Sequence, residues 1–306
     1  MSSYALTLKT NGVVVIPVSV SLIDQRNRFI LSQHPEFNSI NPDLFVMGNF
    51  GALGHPSSFH HPAIREIRKT VHDELVDFWK VYSEGTTKKL EILFDRFSIR
   101  KPGTKVSAES WHRDICNIKI DGDSIFGGWI NLDSPDSEPQ IFSCVPKTHM
   151  DRSDDEGFAK IDKEQGKIYS GRKIRYKIPP GHIIIFSQNI VHEVVSKAYK
   201  TETYKLYIGW RVTDEADPLF KENLEEGISK QAIVKIPSGQ YPAMFTKNHR
   251  RFFAGKVKDF SNLLIPKYLD KEGYVKQYME SLKDSELPLY TEYSEEDINI
   301  LTPHRL

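Results

Sequence analysis

Two short motifs contain residue types that could bind a metal ion. The motif WHRD at residues 111–114 places an imidazole and a carboxylate two positions apart. Because side chains alternate between the faces of a β-strand, His112 and Asp114 would point to the same side. A third ligand has to come from elsewhere, and His192, in the motif IVHE at residues 190–193, begins a later predicted strand. Two histidines and one carboxylate leave one side of a metal open, a donor set that suits non-haem Fe(II) and oxygen activation.

The segment that contains both motifs has the pattern of many short strands. From about residue 90 to 213, apolar runs alternate with turns such as Pro102-Gly103 and Pro180-Gly181. We predict strands at 92–100, 114–120, 126–132, 140–145, 172–178, 182–187, 191–195 and 203–213. This pattern predicts a mainly β fold with flanking helices and a double-stranded β-helix core of the jelly-roll or cupin-like type. The polar segment 146–171 is expected to be a solvated excursion.

Elements outside this segment are predicted to support it. The β-branched run at 12–18 indicates a strand, and helical spacing at 21–32 indicates a helix. Pro62 opens a second helix, whose apolar positions step by three or four and should lie on a sheet. We expect one domain over residues 1–217, with a helical support at 1–89 and the barrel at 90–217. Residues 218–306 would form a C-terminal extension packed on the barrel, as a lid or an oligomer contact.

Three longer motifs carry a resemblance to a known family. They are IRKPGTKVSAESWHRD at 99–114, WINLDSPDSEPQIFSCVPKTH at 129–149 and PPGHIIIFSQNIVHEV at 179–194. Together they resemble the phytanoyl-CoA dioxygenase-like branch of the Fe(II)- and 2-oxoglutarate-dependent oxygenases, over roughly residues 90–217. Lys147 stands where the family usually has Gly, and His182 stands where it usually has Asp.

The resemblance implies a cofactor set and a reaction. Fe(II) would be held by His112, Asp114 and His192, which would thereby be the catalytic residues, with 2-oxoglutarate as cosubstrate and O2 as oxidant. The expected reaction is hydroxylation of an unidentified substrate, with release of succinate and CO2. Family members that halogenate have a small residue in place of the carboxylate ligand, so Asp114 favours hydroxylation.

The cosubstrate requires a cation for its C5 carboxylate, and the run YKLYIGWRVT at 204–213 offers two. Alternation places Lys205 and Arg211 on one face of the predicted strand. The family usually has Arg near the start of this strand, where this chain has Thr203. Lys205 is closer to that position, whereas the Arg211 guanidinium could form two parallel hydrogen bonds with a carboxylate. Both residues stay candidates for this role. The side chains expected to line the pocket are those of Trp129, Asn131, Phe142 and Cys144.

Composition limits the classes of partner. The chain of 306 residues has 41 Lys and Arg against 41 Asp and Glu, so we expect neither nucleic acid nor a membrane surface as a partner. The substrate is expected to be a small molecule, and a homo-oligomer through the C-terminal extension is an open expectation. Two cysteines and the lack of a recognisable targeting signal favour the cytoplasm.

Two other functions remain open at this point. One is a cupin-like metal enzyme that does not use 2-oxoglutarate, and it would need neither Lys205 nor Arg211. The other is a non-catalytic binding protein on an oxygenase fold. The order of two histidines and one aspartate argues against the first, and the presence of all three ligands argues against the second.

Overall fold

The computed structural model describes most of the first 213 residues and one short stretch near the C-terminus. The described residues are 1–19, 22–32, 52–53, 62–84, 88–100, 102–103, 105, 108–116, 124–151, 153, 157–213 and 304–305. The helices are α1 (Ser2–Asn11), α2 (Leu22–Ser32), α3 (Pro62–Tyr82) and α4 (Lys163–Arg172), with a 3-10 helix at Thr148–Met150. The strands are β1 (Val13–Pro17), β2 (Ala52–Leu53), β3 (Lys89–Arg100), β4 (Glu109–Cys116), β5 (Ser124–Asn131), β6 (Gln140–Val145), β7 (Gly157–Lys160), β8 (Ile174–Ile178), β9 (His182–Ser187), β10 (Val191–Val194), β11 (Thr203–Thr213) and β12 (His304–Arg305).

These strands form two antiparallel sheets. The major sheet has the order β1-β9-β5-β11-β3-β12, with β2 also paired to β3, and the minor sheet has the order β7-β4-β10-β6-β8. Apolar side chains from both sheets share one buried cluster, with Trp129 and Phe186 from the major sheet against Phe142 and Cys144 from the minor sheet. The prediction of a mainly β, double-stranded β-helix fold with flanking helices is therefore confirmed.

The outer face of the major sheet is covered by helices. Helix α3 has its apolar side chains at a helical spacing, and Ile64, Ile67 and Phe78 are fully buried. They share a cluster with Leu206 and Trp210, which project from the outer face of β11. The prediction that this helix lies on a sheet is confirmed, and the helix supports the outer face of the major sheet.

The inner face is shaped by close strand contacts in the middle of the major sheet. Gly128 on β5 lies opposite Ile185 of β9, and a Cβ placed there would come within 2.1 Å of the Ile184 carbonyl oxygen. Only glycine fits this approach. The pairing of β5 with both β9 and β11 is regular on either side, so the inward side chains of β5 and β11 stand in register.

The structure departs from the sequence predictions in two segments. Residues 146–171 are not simply a solvated excursion, because they contain the 3-10 helix, β7 and α4. Strand β7 pairs with β4, and Tyr169 of α4 contacts Trp111 with ring centroids 6.4 Å apart. Helix α1 was not predicted, because its apolar residues do not follow a clear helical spacing. Its buried residues Ala5 and Leu8 hold it against the rest of the fold.

Other expectations fall outside the described residues. These are the loop at 40–61, apart from β2, and the extension at 218–306, apart from β12, which pairs with the start of β3. The domain boundaries therefore stay a prediction. Both cysteines are buried. In the described ranges, no helix combines the length and apolarity needed to cross a membrane.

Candidate metal and cosubstrate site

Three side chains on two adjacent strands of the minor sheet point to one place. His112 and Asp114 lie on β4, and His192 lies on β10 directly across from His112. Their candidate ligand atoms all lie within 4.8 Å of one another. Asp114 Oδ1 is 3.6 Å from His112 Nε2, and Oδ2 is 3.7 Å from His192 Nε2. We call these three residues the ligand cluster.

Both histidines of the ligand cluster are oriented by their own backbone. His112 Nδ1 lies 2.8 Å from the Ser110 carbonyl oxygen, and His192 Nδ1 lies 3.0 Å from the Ile190 carbonyl oxygen. A carbonyl can only accept, so each Nδ1 carries a proton, and Nε2 is the ring nitrogen left to bind a metal. This arrangement orients an imidazole to bind a metal.

Arg113 fixes the position of one ligand strand relative to the other. It points away from the ligand cluster, and its buried Nη1 donates to the Thr148 carbonyl at 2.6 Å and to the Asn189 carbonyl. Thr148 in turn accepts a hydrogen bond from Val191 N at 2.9 Å, next to His192. The residue between the two ligands of β4 therefore holds the turn that leads to the third ligand.

A second carboxylate lies beside the ligand cluster. Glu109 Oε2 is 3.9 Å from His112 Nε2, and the Glu109 side chain is 28% exposed, against 3% for His112. Glu109 is thus the more solvent-exposed of the two. The sequence pattern alone gives Glu109 no role, because in a regular strand a residue three positions before His112 faces the other side. The register shift between β4 and β10 places Glu109 on the same side as His112.

A row of aromatic rings leads from the ligand cluster into the barrel. The Phe142 ring lies 5.5 Å from the His192 ring, and the Trp129 ring lies 5.6 Å from the Phe142 ring. Lys205 Nζ stands 4.5 Å from the centre of the Trp129 ring. These contacts form an apolar row that runs from the candidate metal site to a buried cation.

Lys205 is a buried cation without a direct anionic partner. In the described part of the chain, no hydrogen bond or ion pair reaches its Nζ, and only 7% of the residue is exposed. The pKa of Lys205 is lowered to about 7, mainly by burial and also by the nearby Arg100, while Asp133 acts in the opposite direction. The lysine is therefore held in a place where its charge is costly.

The nearby Asp133 carboxylate is engaged elsewhere. Its Oδ1 accepts from Tyr204 N at 2.6 Å, and its Oδ2 accepts from Gln140 Nε2 at 2.8 Å. Gln140 also bonds Asn131 and Trp129. Burial raises the pKa of Asp133, and these hydrogen bonds counter that effect. This network holds the Trp129 ring beside Lys205, and Asp133 acts on the lysine only at longer range.

Arg211 projects from the same face of β11 but at its other end. It pairs with Ile125 of β5, whereas Lys205 pairs with Asn131, so six residues of strand separate them. At about 3.4 Å per residue this is roughly 20 Å. Arg211 is 2% exposed. Both cations are buried, so neither is an ordinary surface residue.

The donor set of the ligand cluster fits Fe(II). Two imidazoles and one carboxylate on adjacent strands are the donor types of the facial arrangement that suits non-haem Fe(II). The structure brings together the three residues that the sequence analysis selected, while their role as metal ligands stays a prediction. Among the candidate pocket walls, Trp129, Phe142 and Cys144 belong to the shared apolar cluster and Asn131 to the Gln140 network.

Comparison with known proteins supports the fold. No protein-family model and no curated protein sequence matches the chain. The crystal structure of the epimerase SnoN, in complex with Fe3+, alpha-ketoglutarate and nogalamycin RO, superposes with a TM-score of 0.50 at 12% identity, over 68% of this chain and 82% of SnoN. The chain is similar to SnoN in fold.

Two further solved structures are similar at a slightly lower level. EctD from S. alaskensis, with 2-oxoglutarate and 5-hydroxyectoine, has a TM-score of 0.48 at 16% identity, over 69% of this chain and 75% of EctD. The alpha-ketoglutarate-dependent carbocyclase SnoK has a TM-score of 0.48 at 15% identity, over 71% of this chain and 85% of SnoK. Membership of the phytanoyl-CoA dioxygenase-like branch stays a prediction.

Proposed function

We propose that this protein is an Fe(II)- and 2-oxoglutarate-dependent oxygenase that hydroxylates a small molecule. The observation that carries the proposal is that one row of aromatic rings links the ligand cluster to a buried cation. A metal site alone is compatible with many reactions. A metal site together with a buried lysine that has no anionic partner among the described residues suits a cosubstrate that chelates a metal at one end and carries a carboxylate at the other.

Each residue then has a physical task. His112, Asp114 and His192 would hold Fe(II), with the Nδ1 hydrogen bonds fixing both imidazoles. When bound, Fe(II) with 2-oxoglutarate and O2 supplies oxidation of a C–H bond, with release of succinate and CO2. The rings of Trp129 and Phe142 exclude water from the space between the ligand cluster and Lys205, which strengthens the attraction between lysine and carboxylate.

Lys205 is the better supported of the two candidate cations for the C5 carboxylate. It is joined to the ligand cluster by the ring contacts of Trp129 and Phe142, and its Nζ has no described anionic partner. Arg211 has another described interaction, and no ring contact links it to His192. SnoN, which has the same fold, was solved with Fe3+ and alpha-ketoglutarate.

Conversion of 2-oxoglutarate to succinate tests this proposal without knowledge of the substrate. The purified protein is incubated with Fe(II), ascorbate, O2 and 2-oxoglutarate, and succinate is measured over time. We expect slow succinate formation that depends on Fe(II) and disappears in Asp114→Ala. If the wild-type protein binds Fe(II) but forms no more succinate than Asp114→Ala, the proposal is contradicted.

A second candidate function is favoured by Glu109. A carboxylate 3.9 Å from His112 Nε2 could complete a four-residue ligand set, as in a cupin-like metal enzyme that does not use 2-oxoglutarate. In that case Glu109→Gln would weaken Fe(II) binding severely, and no succinate would form. For the oxygenase, Glu109→Gln leaves Fe(II) binding nearly unchanged, because three ligands suffice.

A further inference from the structure

A row of paired residues crosses the minor sheet through the ligand cluster and ends on β7. Lys160 of β7 pairs with His112, and His112 pairs with His192. Residues paired across antiparallel strands share a face, so the Lys160 side chain projects on the same side as the two histidines. The next residue, Ile161, packs with Trp111 on the opposite face. Lys160 is therefore a neighbour of the ligand cluster, although it lies far from it in none of the quoted motifs.

The exposure of side chains on this face is highest next to β7. Lys160 is exposed, and the side chains of Glu109 and Asp114 on β4 are 28% and 21% exposed. On the other side of the cluster, His192 is 5% exposed and its partner Cys144 is fully buried. Within the described part of the chain, a substrate would thus reach the ligand cluster past β4 and β7.

Glu109 and Lys160 bring opposite charges to this edge of the site. In the described ranges, Lys160 forms no ion pair, and the carboxylate of Glu109 has only its 3.9 Å approach to His112 Nε2. In the loaded oxygenase, the positive charges of Fe(II) and Lys205 would balance those of Asp114 and the 2-oxoglutarate dianion. Glu109 and Lys160 are then a negative and a positive group that the cosubstrate site does not use.

We propose that Glu109 and Lys160 bind the two charged groups of a zwitterionic substrate, a small molecule that carries an ammonium group and a carboxylate. This inference rests on the proposed function, because the substrate would lie beside the Fe(II) site. The Glu109 carboxylate accepts hydrogen bonds from the substrate ammonium, and the Lys160 ammonium donates to the substrate carboxylate. The carbon chain between the two groups is then held next to His112.

Proton NMR with Mn(II) in place of Fe(II) tests this inference without turnover, because bound Mn(II) broadens the signals of molecules close to it. The probes are the protein amino acids, β-alanine and 4-aminobutyrate, added to the protein with 2-oxoglutarate bound. Each is compared with its N-acetyl derivative, which lacks the positive charge, and its methyl ester, which lacks the negative charge. The Zn(II)-loaded protein gives the baseline. We expect at least one zwitterion to be broadened about fivefold more than either derivative.

Two variants assign the charged groups of the substrate to their partners. Glu109→Gln should abolish the preference for the zwitterion over its N-acetyl derivative, and Lys160→Gln should abolish the preference over its methyl ester. Glu164→Gln and Lys167→Gln are matched controls, since they remove the same charges from an exposed ion pair on α4. Both controls should match the wild type, and the Mn(II) content should be the same in all four variants.

The outcomes separate this inference from the proposed function. A wild type that prefers no zwitterion, or a preference that survives in either Glu109→Gln or Lys160→Gln, would overturn the inference and leave the proposed function standing. Loss of Mn(II) from Glu109→Gln would make Glu109 a metal ligand and would also overturn the inference. If bound Mn(II) did not broaden the signals of 2-oxoglutarate itself, the proposed function would fall as well.

Discussion

The ligand cluster and Lys205 are both polar groups inside the same barrel, yet they are held in opposite ways. Each histidine of the ligand cluster is oriented by a hydrogen bond from Nδ1 to a carbonyl two residues away. Lys205 has no such bond in the described part of the chain, and a second cation is its neighbour. The first region is already ordered by its own hydrogen bonds, whereas the second holds a desolvated cation near another cation.

This difference separates two kinds of binding residue. Preorganised ligands gain affinity because little freedom is lost when the metal arrives. A desolvated lysine gains affinity because the arriving anion removes a cost that the folded protein already carries. Loss of a ligand should therefore abolish binding, whereas loss of the lysine should weaken binding of the cosubstrate and spare the metal.

The largest expected effect is loss of a metal ligand. His192→Ala removes an oriented Nε2 and should lower Fe(II) affinity at least 100-fold while the circular dichroism spectrum stays that of the wild type. Iron content after anaerobic desalting provides the measurement. His182→Ala is the matched control, since His182 is a half-buried histidine whose Nδ1 lies 3.1 Å from the Pro180 carbonyl oxygen, away from the cluster. If the His192→Ala variant retained Fe(II), His192 would not be a metal ligand.

The next effect separates the two candidate cations. Lys205→Ala should raise the 2-oxoglutarate concentration needed for half-maximal succinate formation by tenfold or more, with Fe(II) affinity unchanged. Arg211→Ala should leave that requirement within threefold of the wild type in the fraction that folds. If Arg211→Ala raised the 2-oxoglutarate requirement more than Lys205→Ala, the carboxylate site would lie at the Arg211 end of β11.

A smaller effect is expected for the contact between the two ligand strands. Arg113→Gln removes charged hydrogen bonds to the Thr148 and Asn189 carbonyls, so the free energy of unfolding should fall by about 2–3 kcal/mol. Fe(II) affinity should fall as well, because the turn before His192 loses its anchor. Urea titration and iron binding measure the two effects. Arg175→Gln, at an exposed position of β8, should change neither.

The smallest effect concerns a turn outside both regions. Lys147 has a φ of 74°, in the left-handed region that costs a non-glycine residue roughly 1–2 kcal/mol. Lys147→Gly removes this strain and adds some freedom to the unfolded chain, for a net gain of about 0.5 kcal/mol. Lys147→Ala keeps the strain and should show no gain in thermal unfolding. Equal stabilities of the Gly and Ala variants would contradict this explanation.

Local periodicity was enough to predict part of the candidate site. Two-residue alternation placed His112 with Asp114, and Lys205 with Arg211, on common faces. All eight predicted strands have counterparts in the structure, although β4 begins at Glu109 rather than at 114. The family resemblance added His192, and the glycine usual at position 147 matches the left-handed backbone found there.

The remaining part depends on contacts between distant segments. Arg100 stands in a quoted motif, but its place beside Lys205 follows from the register of β3 against β11, which no local pattern specifies. Glu109 reaches the ligand cluster through an irregularity in β4 pairing. Helix α4 is polar, and even Ile168 on it is exposed. It is held in place by tertiary contacts such as that of Tyr169 with Trp111.

The central claim is that one interior space holds both a metal site and a cosubstrate site. Its most direct test is anaerobic addition of 2-oxoglutarate to the Fe(II)-loaded protein, followed by visible absorption spectroscopy. The account predicts a weak metal-to-ligand charge-transfer band that is absent in His112→Ala and needs more 2-oxoglutarate in Lys205→Ala. Bound Fe(II) with no band at saturating 2-oxoglutarate would contradict it.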